Sequence, residues 1–192
     1  PTMTPPAGLP ERLAWQWQEA DEPVLNVGCE SDPAGFGALA STVNVDIDHW
    51  EGVKNFRQAD ARELPFADGS FDTVLLCECL DHMDEPERAI KEALRVAHHA
   101  VVITLPADDG AVEDPEHWRA HIEHLKGLGL LQVASGDLKL RHGHCKHWQR
   151  PEVMALVGKA VGDSSTMQLW YSVAGTNPPE HRVVLCKNER KP

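Results

Sequence analysis

Short apolar runs alternate along the chain with stretches of helical periodicity. Residues 24–28, VLNVG, begin the series: an apolar run closes on a glycine, as a strand does on entering a tight turn. A second strand is expected over 43–47 within STVNVDID, and a third over 56–59 within NFRQAD. FDTVLLCE is continuously apolar at its centre, the pattern of a strand covered on both faces. DEPERAIKEALRVA predicts a helix: Asp84 is the candidate N-cap, Pro86 suits the first turn, and Ala89, Ile90, Ala93, Leu94 and Ala97 share one face. AVVITLP gives a fifth strand over 100–106, and residues 113–126, with Trp118, Ile122 and Leu125, a weakly patterned helix. RPEVMALVGKAVG predicts a helix opened by Pro151 and stopped by Gly162. TMQLWYSVAG and HRVVLCK, joined by a segment around TNPPE, read as an antiparallel hairpin. Residues 11–20 predict a short helix on which Trp15 and Trp17 cannot share a face, after a proline-rich stretch over 1–10.

Strands alternating with helices imply an α/β fold: a mostly parallel sheet with helices on both faces and a ligand at the C-terminal ends of the strands. Those ends are Gly28, Asp46, Asp60 and Glu78. A carboxylate at Asp46 can accept hydrogen bonds from both hydroxyls of a ribose, Asp60 can accept one from an adenine amino group, and Gly28 lets backbone approach a ligand closely. The turn after Gly28 is unusual. Where a nucleotide-binding turn brings further glycines, Cys29, Glu30, Ser31, Asp32 and Pro33 follow. Two carboxylates there repel phosphate and favour an ammonium group.

The 192 residues suffice for one domain with one sizeable core. A formal net charge of −12 argues against a nucleic-acid partner, with LKLRHGHCKHWQR the one locally basic stretch. The five cysteines are odd in number and scattered, so they read as reduced thiols. No apolar run approaches the roughly 20 residues of a membrane span. The N-terminal stretch does not have the basic start and apolar centre of a secretory signal, so a cytoplasmic location is expected, with no membrane partner.

Several short motifs then occur in a fixed order: Asp60-Ala61, Leu64-Pro65-Phe66, Asp68-Gly69-Ser70-Phe71-Asp72, Leu80-Asp81-His82 and Asp84-Glu85-Pro86. VLNVGCE and NVDID precede them, and GHCKHWQRPEVMALVGKAVG follows. This ordered set, over residues 23–187, resembles the class I S-adenosylmethionine-dependent methyltransferases of the type 11 group. The resemblance implies a Rossmann-like seven-stranded sheet, mostly parallel with an antiparallel last strand and helices on both faces. It implies S-adenosylmethionine as cofactor. Asn26, Gly28, Cys29 and Glu30 would then surround its amino-acid part, Asp46 would hold the ribose and Ile47 would pack on adenine. Asp60 and Ala61 would read the adenine edge, and Glu78 would face the methionine end or the substrate. Residues 1–22 would be an extension or lid, 23–192 one domain, and an insertion at 106–150 would shape the acceptor pocket. The chain departs from the family pattern in keeping only Gly28 of the first motif's glycines, in placing Asn26 where an acid is usual, and in leaving space for only a turn or two of helix after that motif.

The expected activity is methyl transfer to a small or medium-sized acceptor. His144 or His147 is the candidate base, and His82 is either structural or turned to substrate. His142, His144, Cys145 and His147, with His117, His121 and His124, are metal-ligand types, but their spacing is not that of a structural zinc site and no metal is assigned. Two other readings stand beside this one. One is a non-catalytic module binding S-adenosylmethionine or S-adenosylhomocysteine through a degenerate first motif. The other is a nicotinamide-dependent oxidoreductase, which the missing Gly-x-Gly-x-x-Gly and the position of Pro33 disfavour.

Overall fold

The seven apolar runs form the seven strands of one sheet. The computed structural model describes residues 3–107, 131–134, 137–140, 148–162, 167–174 and 180–187. The strands are β1 (Val24–Val27), β2 (Val43–Asp46), β3 (Phe56–Gln58), β4 (Phe71–Cys77), β5 (Ala97–Pro106), β8 (Gln168–Ala174) and β9 (Glu180–Cys186), with β6 (Leu131–Ala134) and β7 (Asp137–Leu140) forming a separate antiparallel pair. The helices are α1 (Glu11–Glu19), α2 (Pro86–Val96) and α3 (Arg150–Val161). The order across the main sheet is β3-β2-β1-β4-β5-β9-β8. The first five strands run parallel, and β9 is antiparallel to both β5 and β8. The order reverses between β1 and β4, which makes their C-terminal ends the switch point.

Local sequence accounts for most boundaries. β4 is buried along its centre at Val74, Leu75 and Leu76, as its unbroken apolar run requires. α2 buries Ala89, Ile90, Ala93 and Leu94. Its N-cap position falls on Glu85, in the left-handed region, rather than on Asp84, and Pro86 is its first residue. Ala97 closes α2 and opens β5 at once, so β5 begins three residues before the 100–106 run. α3 opens on a capping box, in which the Gln149 N–H donates to Glu152 Oε2 at 2.9 Å, and stops at Gly162.

The two faces of the sheet are covered differently. α2 and α3 pack on Leu25, Val27, Val74, Leu76, Val101 and Ile103. On the other face Val24, Leu75, Val102 and Val184 meet α1 and the segment after β1. The helix expected there is reduced to one 3₁₀ turn, Phe36–Ala38. Gly35 and Gly37 disfavour helix, and the Asp32 carboxylate takes up the N–H groups of Phe36 and Gly37 at 2.9 and 2.7 Å. α1 fills the space instead. Trp17 stacks on Phe36 with ring centroids 4.7 Å apart, and its Nε1 donates to the Ala34 carbonyl at 2.7 Å. Trp15 points elsewhere, under the Arg182 guanidinium, as the helical period demands. Trp17 therefore belongs to the core, away from the strand tips.

Residues 113–126 lie outside the described residues. The β6–β7 pair, in the middle of the 106–150 region, has no counterpart among the sequence expectations. Both ends of that region are fixed. Ala107 and Trp148 form a parallel bridge, and the Trp148 N–H donates to the Pro106 carbonyl at 3.0 Å. The Trp148 carbonyl accepts a hydrogen bond from Nε2 of the buried His181 at 2.7 Å, so the other ring nitrogen accepts from the Tyr171 hydroxyl at 2.7 Å.

Arg95 clamps the β3–β4 connection to α2. It donates to the carbonyls of Leu64 and Phe66 and to the carboxylates of Asp68 and Glu92, and Glu92 also accepts the Leu64 N–H. The hydrogen bond from Arg95 holds the Glu92 carboxyl below its usual range. A carboxyl lowered in the folded state stabilises above its unfolded pKa, ~4.3, and that contribution is lost as pH falls through the folded value. Urea unfolding is therefore expected to show a steeper loss of stability between pH 5 and about 3 in the wild type than in Glu92→Gln.

Candidate active site

The end of β1 turns back on β2 through its backbone: the N–H groups of Gly28 and Cys29 both donate to the Val45 carbonyl, at 2.8 and 3.1 Å. Gly28 has φ 69°, and a Cβ built there would lie 2.4 Å from the Cys79 Cβ. The next residues keep the turn left-handed without glycine, with φ 44° at Glu30 and φ 57° at Asp32. Asp32 is the fixing group. It is held by the amides of the 3₁₀ turn and by Asn26 Nδ2 at 3.4 Å, and burial still raises its pKa.

Asp46, the last residue of β2, ties this turn to its own strand end. One carboxylate oxygen accepts the Glu30 N–H and the other the Asp48 N–H, each at 3.0 Å. A carboxylate has about four acceptor positions, so two remain. Asp60, beyond β3, is gripped by Arg62 through side-chain bonds of 2.7 to 3.2 Å, which hold its carboxyl below the usual range. Glu78, immediately after β4, has φ 55° and donates its N–H to the Thr104 carbonyl of β5 at 3.1 Å.

These strand ends enclose a cleft of about 280 Å³. Seven of the nine expected cofactor residues line it: Gly28, Glu30, Asp46, Ile47, Asp60, Ala61 and Glu78. Asn26 and Cys29 do not. Asn26 is a β1 residue whose side chain turns inward and donates to Asn44 Oδ1 at 2.9 Å. Cys29 is packed away, and burial, followed by the charge of Asp46, pushes its thiol up to about 12. The cleft also gains Asp48 and Trp50 beyond β2, Arg62, and Met83 and Asp84 beyond the Leu80–His82 turn. Their common signal was position: each lies within a few residues of a strand tip already picked out. His82 lines the cleft too, with Nε2 3.2 Å from Oδ2 of the buried Asp81. His144 and His147 lie outside the described residues, as do His142, Cys145, His117, His121 and His124. Among the described residues Cys29, Cys77, Cys79 and Cys186 are not joined in disulfides, and burial raises the pKa of both Cys77 and Cys79.

A seven-stranded sheet in this order, with its cleft at the switch point and an acid closing β2, defines the class I S-adenosylmethionine-dependent methyltransferase architecture. Residues 36–103 match the family model described as a methyltransferase domain, and the fold is that of S-adenosylmethionine-dependent methyltransferases among solved structures. Over 81 residues it is 37% identical to the phosphatidylethanolamine N-methyltransferase of Cereibacter sphaeroides, covering 40% of this chain and 40% of that one. Over 84 residues it is 37% identical to the 27-O-demethylrifamycin SV methyltransferase of Amycolatopsis mediterranei, covering 43% of this chain and 30% of that one. The matched segments span less than half the length of these curated relatives. Among solved structures, a methyltransferase of Methanosarcina mazei superposes with a TM-score of 0.58 at 16% identity, covering 87% of this chain and 92% of that one. The magnesium protoporphyrin IX methyltransferase of Synechocystis, solved with bound S-adenosylhomocysteine, gives 0.57 at 13% identity, covering 92% and 80%.

Proposed function

We propose that the chain binds S-adenosylmethionine in this cleft and transfers its methyl group to a small or medium-sized acceptor in the cytoplasm. One observation carries the reading: the cleft wall holds six carboxylates, Glu30, Asp46, Asp48, Asp60, Glu78 and Asp84, against one guanidinium, Arg62. Such a wall favours a ligand bearing a sulfonium and an ammonium, and it opposes the pyrophosphate of a nicotinamide dinucleotide. When bound, S-adenosylmethionine supplies a methyl group on positively charged sulfur, displaced in line by the acceptor. The chain's own residues bind and orient. Asp46 offers its two remaining acceptor positions to the sugar hydroxyls. Ile47, 47% exposed, offers apolar surface to the base. Asp60, kept ionised by Arg62, and Ala61 meet its edge, while Gly28, Glu30 and Glu78 surround the amino-acid end. Asn26 and Cys29 act from behind the turn, by holding its shape.

Three of the curated relatives support a small or medium-sized acceptor, since their names specify norajmaline, ajmaline and 27-O-demethylrifamycin SV, while a fourth names the lipid phosphatidylethanolamine. No helix among the described residues is long and apolar enough to cross a membrane. A base is required only where the acceptor must lose a proton. His82, oriented by Asp81, lines the cleft and is one candidate for that role; His144 and His147 are the candidates that the sequence offers. His82→Ala is expected to lower turnover about 100-fold with donor affinity kept. Unchanged turnover in His82→Ala, His144→Ala and His147→Ala would remove all three.

Calorimetry with S-adenosylmethionine and S-adenosylhomocysteine tests the first half of the reading, and absence of binding at millimolar ligand overturns it. Labelled-methyl turnover over a panel of amines and hydroxyls tests the second. The glycine-poor turn favours one competing reading, a binding module without transfer activity, and binding with no turnover across the panel selects it. Glu30→Gly separates shape from charge in that turn. Glycine enters the left-handed region freely, so stability is expected to rise by up to about 1 kcal/mol. Donor affinity is expected to fall about tenfold as the carboxylate facing the ammonium goes.

A further inference from the structure

The opposite end of the sheet carries a second cluster of chemically active side chains. Where β4 meets β5 the ladder is irregular: Phe71 pairs with Ala97, but Thr73 pairs with Ala100. Asp72 alone therefore stands opposite two residues, His98 and His99. This is a β-bulge, which breaks the strict alternation of a strand and re-aims the side chains within it. Two adjacent histidines on a regular strand would point to opposite faces. Here their rings lie 4.3 Å apart, centroid to centroid, and one ligand atom from each histidine and from Asp72 fall within 4.8 Å of one another.

We propose that Asp72, His98 and His99 form a binding site for a divalent first-row transition metal, with zinc as the representative ion. The donor set, two imidazoles and a carboxylate, suits such ions and not magnesium or calcium. His98 Nδ1 and Asp72 Oδ1 are 3.2 Å apart. Two donors bound at ~2.0–2.1 Å to one tetrahedral ion stand about 3.3 Å apart, so that pair is already at ligand spacing. His98 is 56% exposed at its side chain, so its ring is free to turn and an ion can enter from solvent. The backbone is held: the Asp72 N–H donates to the Pro23 carbonyl at 2.9 Å, and the His99 carbonyl accepts from the Lys187 N–H at 2.9 Å. The nearby cation of Lys187 is turned away into the carbonyls of Leu94 and Ala97. Three protein ligands leave a fourth position for water. The site lies at the N-terminal ends of its strands, remote from the cleft, so its occupancy clips β4 to β5 and takes no part in methyl transfer.

The test is calorimetric titration of the chelator-treated full chain with zinc chloride, alongside His98→Ala, His99→Ala and the double variant. Other histidines and cysteines in the chain also bind zinc, so the readout is the difference between wild type and variants. Each single variant is expected to weaken one binding event by 10- to 100-fold, and the double variant to lose it, with donor affinity unchanged. Identical isotherms for wild type and double variant overturn the proposal. An independent measurement needs no variant: one equivalent of copper(II) should broaden the amide resonances of residues 71–73 and 97–100 in the wild type. Broadening confined to other parts of the chain overturns the proposal as well.

Discussion

Asp46→Ala is expected to weaken S-adenosylmethionine binding by at least 100-fold. The size follows from what the carboxylate offers. Two charge-assisted hydrogen bonds to sugar hydroxyls contribute roughly 1.5–3 kcal/mol each, and about 2.7 kcal/mol is already a factor of 100. A second loss adds to the first, because Asp46 also accepts the N–H groups of Glu30 and Asp48, so alanine releases the β1 turn from the β2 end. Asp46→Asn tells the two losses apart. It keeps one carbonyl acceptor for the backbone but sets an amide donor against the other N–H. An intermediate affinity with near-native urea stability is expected for asparagine, and a low affinity with about 1 kcal/mol less stability for alanine. Calorimetry and urea unfolding on the same preparations measure both, and an alanine variant binding as tightly as wild type would remove Asp46 from the ligand.

Gly28→Ala should show the largest change in stability. The backbone at 28 is left-handed, which costs a non-glycine residue roughly 1–2 kcal/mol. The added methyl would also fall 2.4 Å from the Cys79 Cβ, which is fixed to the chain and cannot rotate away. Overpacking of that kind costs about 1–3 kcal/mol more. The sum, about 2–5 kcal/mol, corresponds to a fall in Tm of ~5–15 °C for a chain of this size. Cys79→Gly removes the opposing Cβ. The double variant is therefore expected to be less destabilised than the two single effects added together, since they share one contact. Additive effects would mean that the two residues do not touch.

What the sequence made legible, and what it did not, follows from the range of the interactions involved. β4 and α2 were readable because an unbroken apolar run and a 3.6-residue period are local signals. That Asp46 and Asp60 line the cleft was readable because a parallel sheet opens its crevice at the strand tips, and counting residues locates those tips. The turn after Gly28 was half readable. Its carboxylates suggested a cationic ligand, but nothing local showed that Asp32 would turn inward to hold a 3₁₀ turn while Glu30 lined the cleft. Asn26 and Cys29 looked like site residues by position, yet whether a side chain beside a strand tip faces the cleft or the interior is set by the neighbouring strands. The Asp72–His98–His99 cluster left no trace in the sequence. It depends on a register shift between two strands, and its members are separated by the whole of α2.

The bridge between Ala107 and Trp148 has an evolutionary consequence. Because the backbone departs and re-enters at neighbouring points, everything between them can be exchanged, lengthened or cut to a short linker without asking the sheet to move. The β6–β7 ribbon shares no ladder with the main sheet, which fits this separation. Changes confined to that segment can therefore accumulate while the strand tips that line the cleft stay as they are.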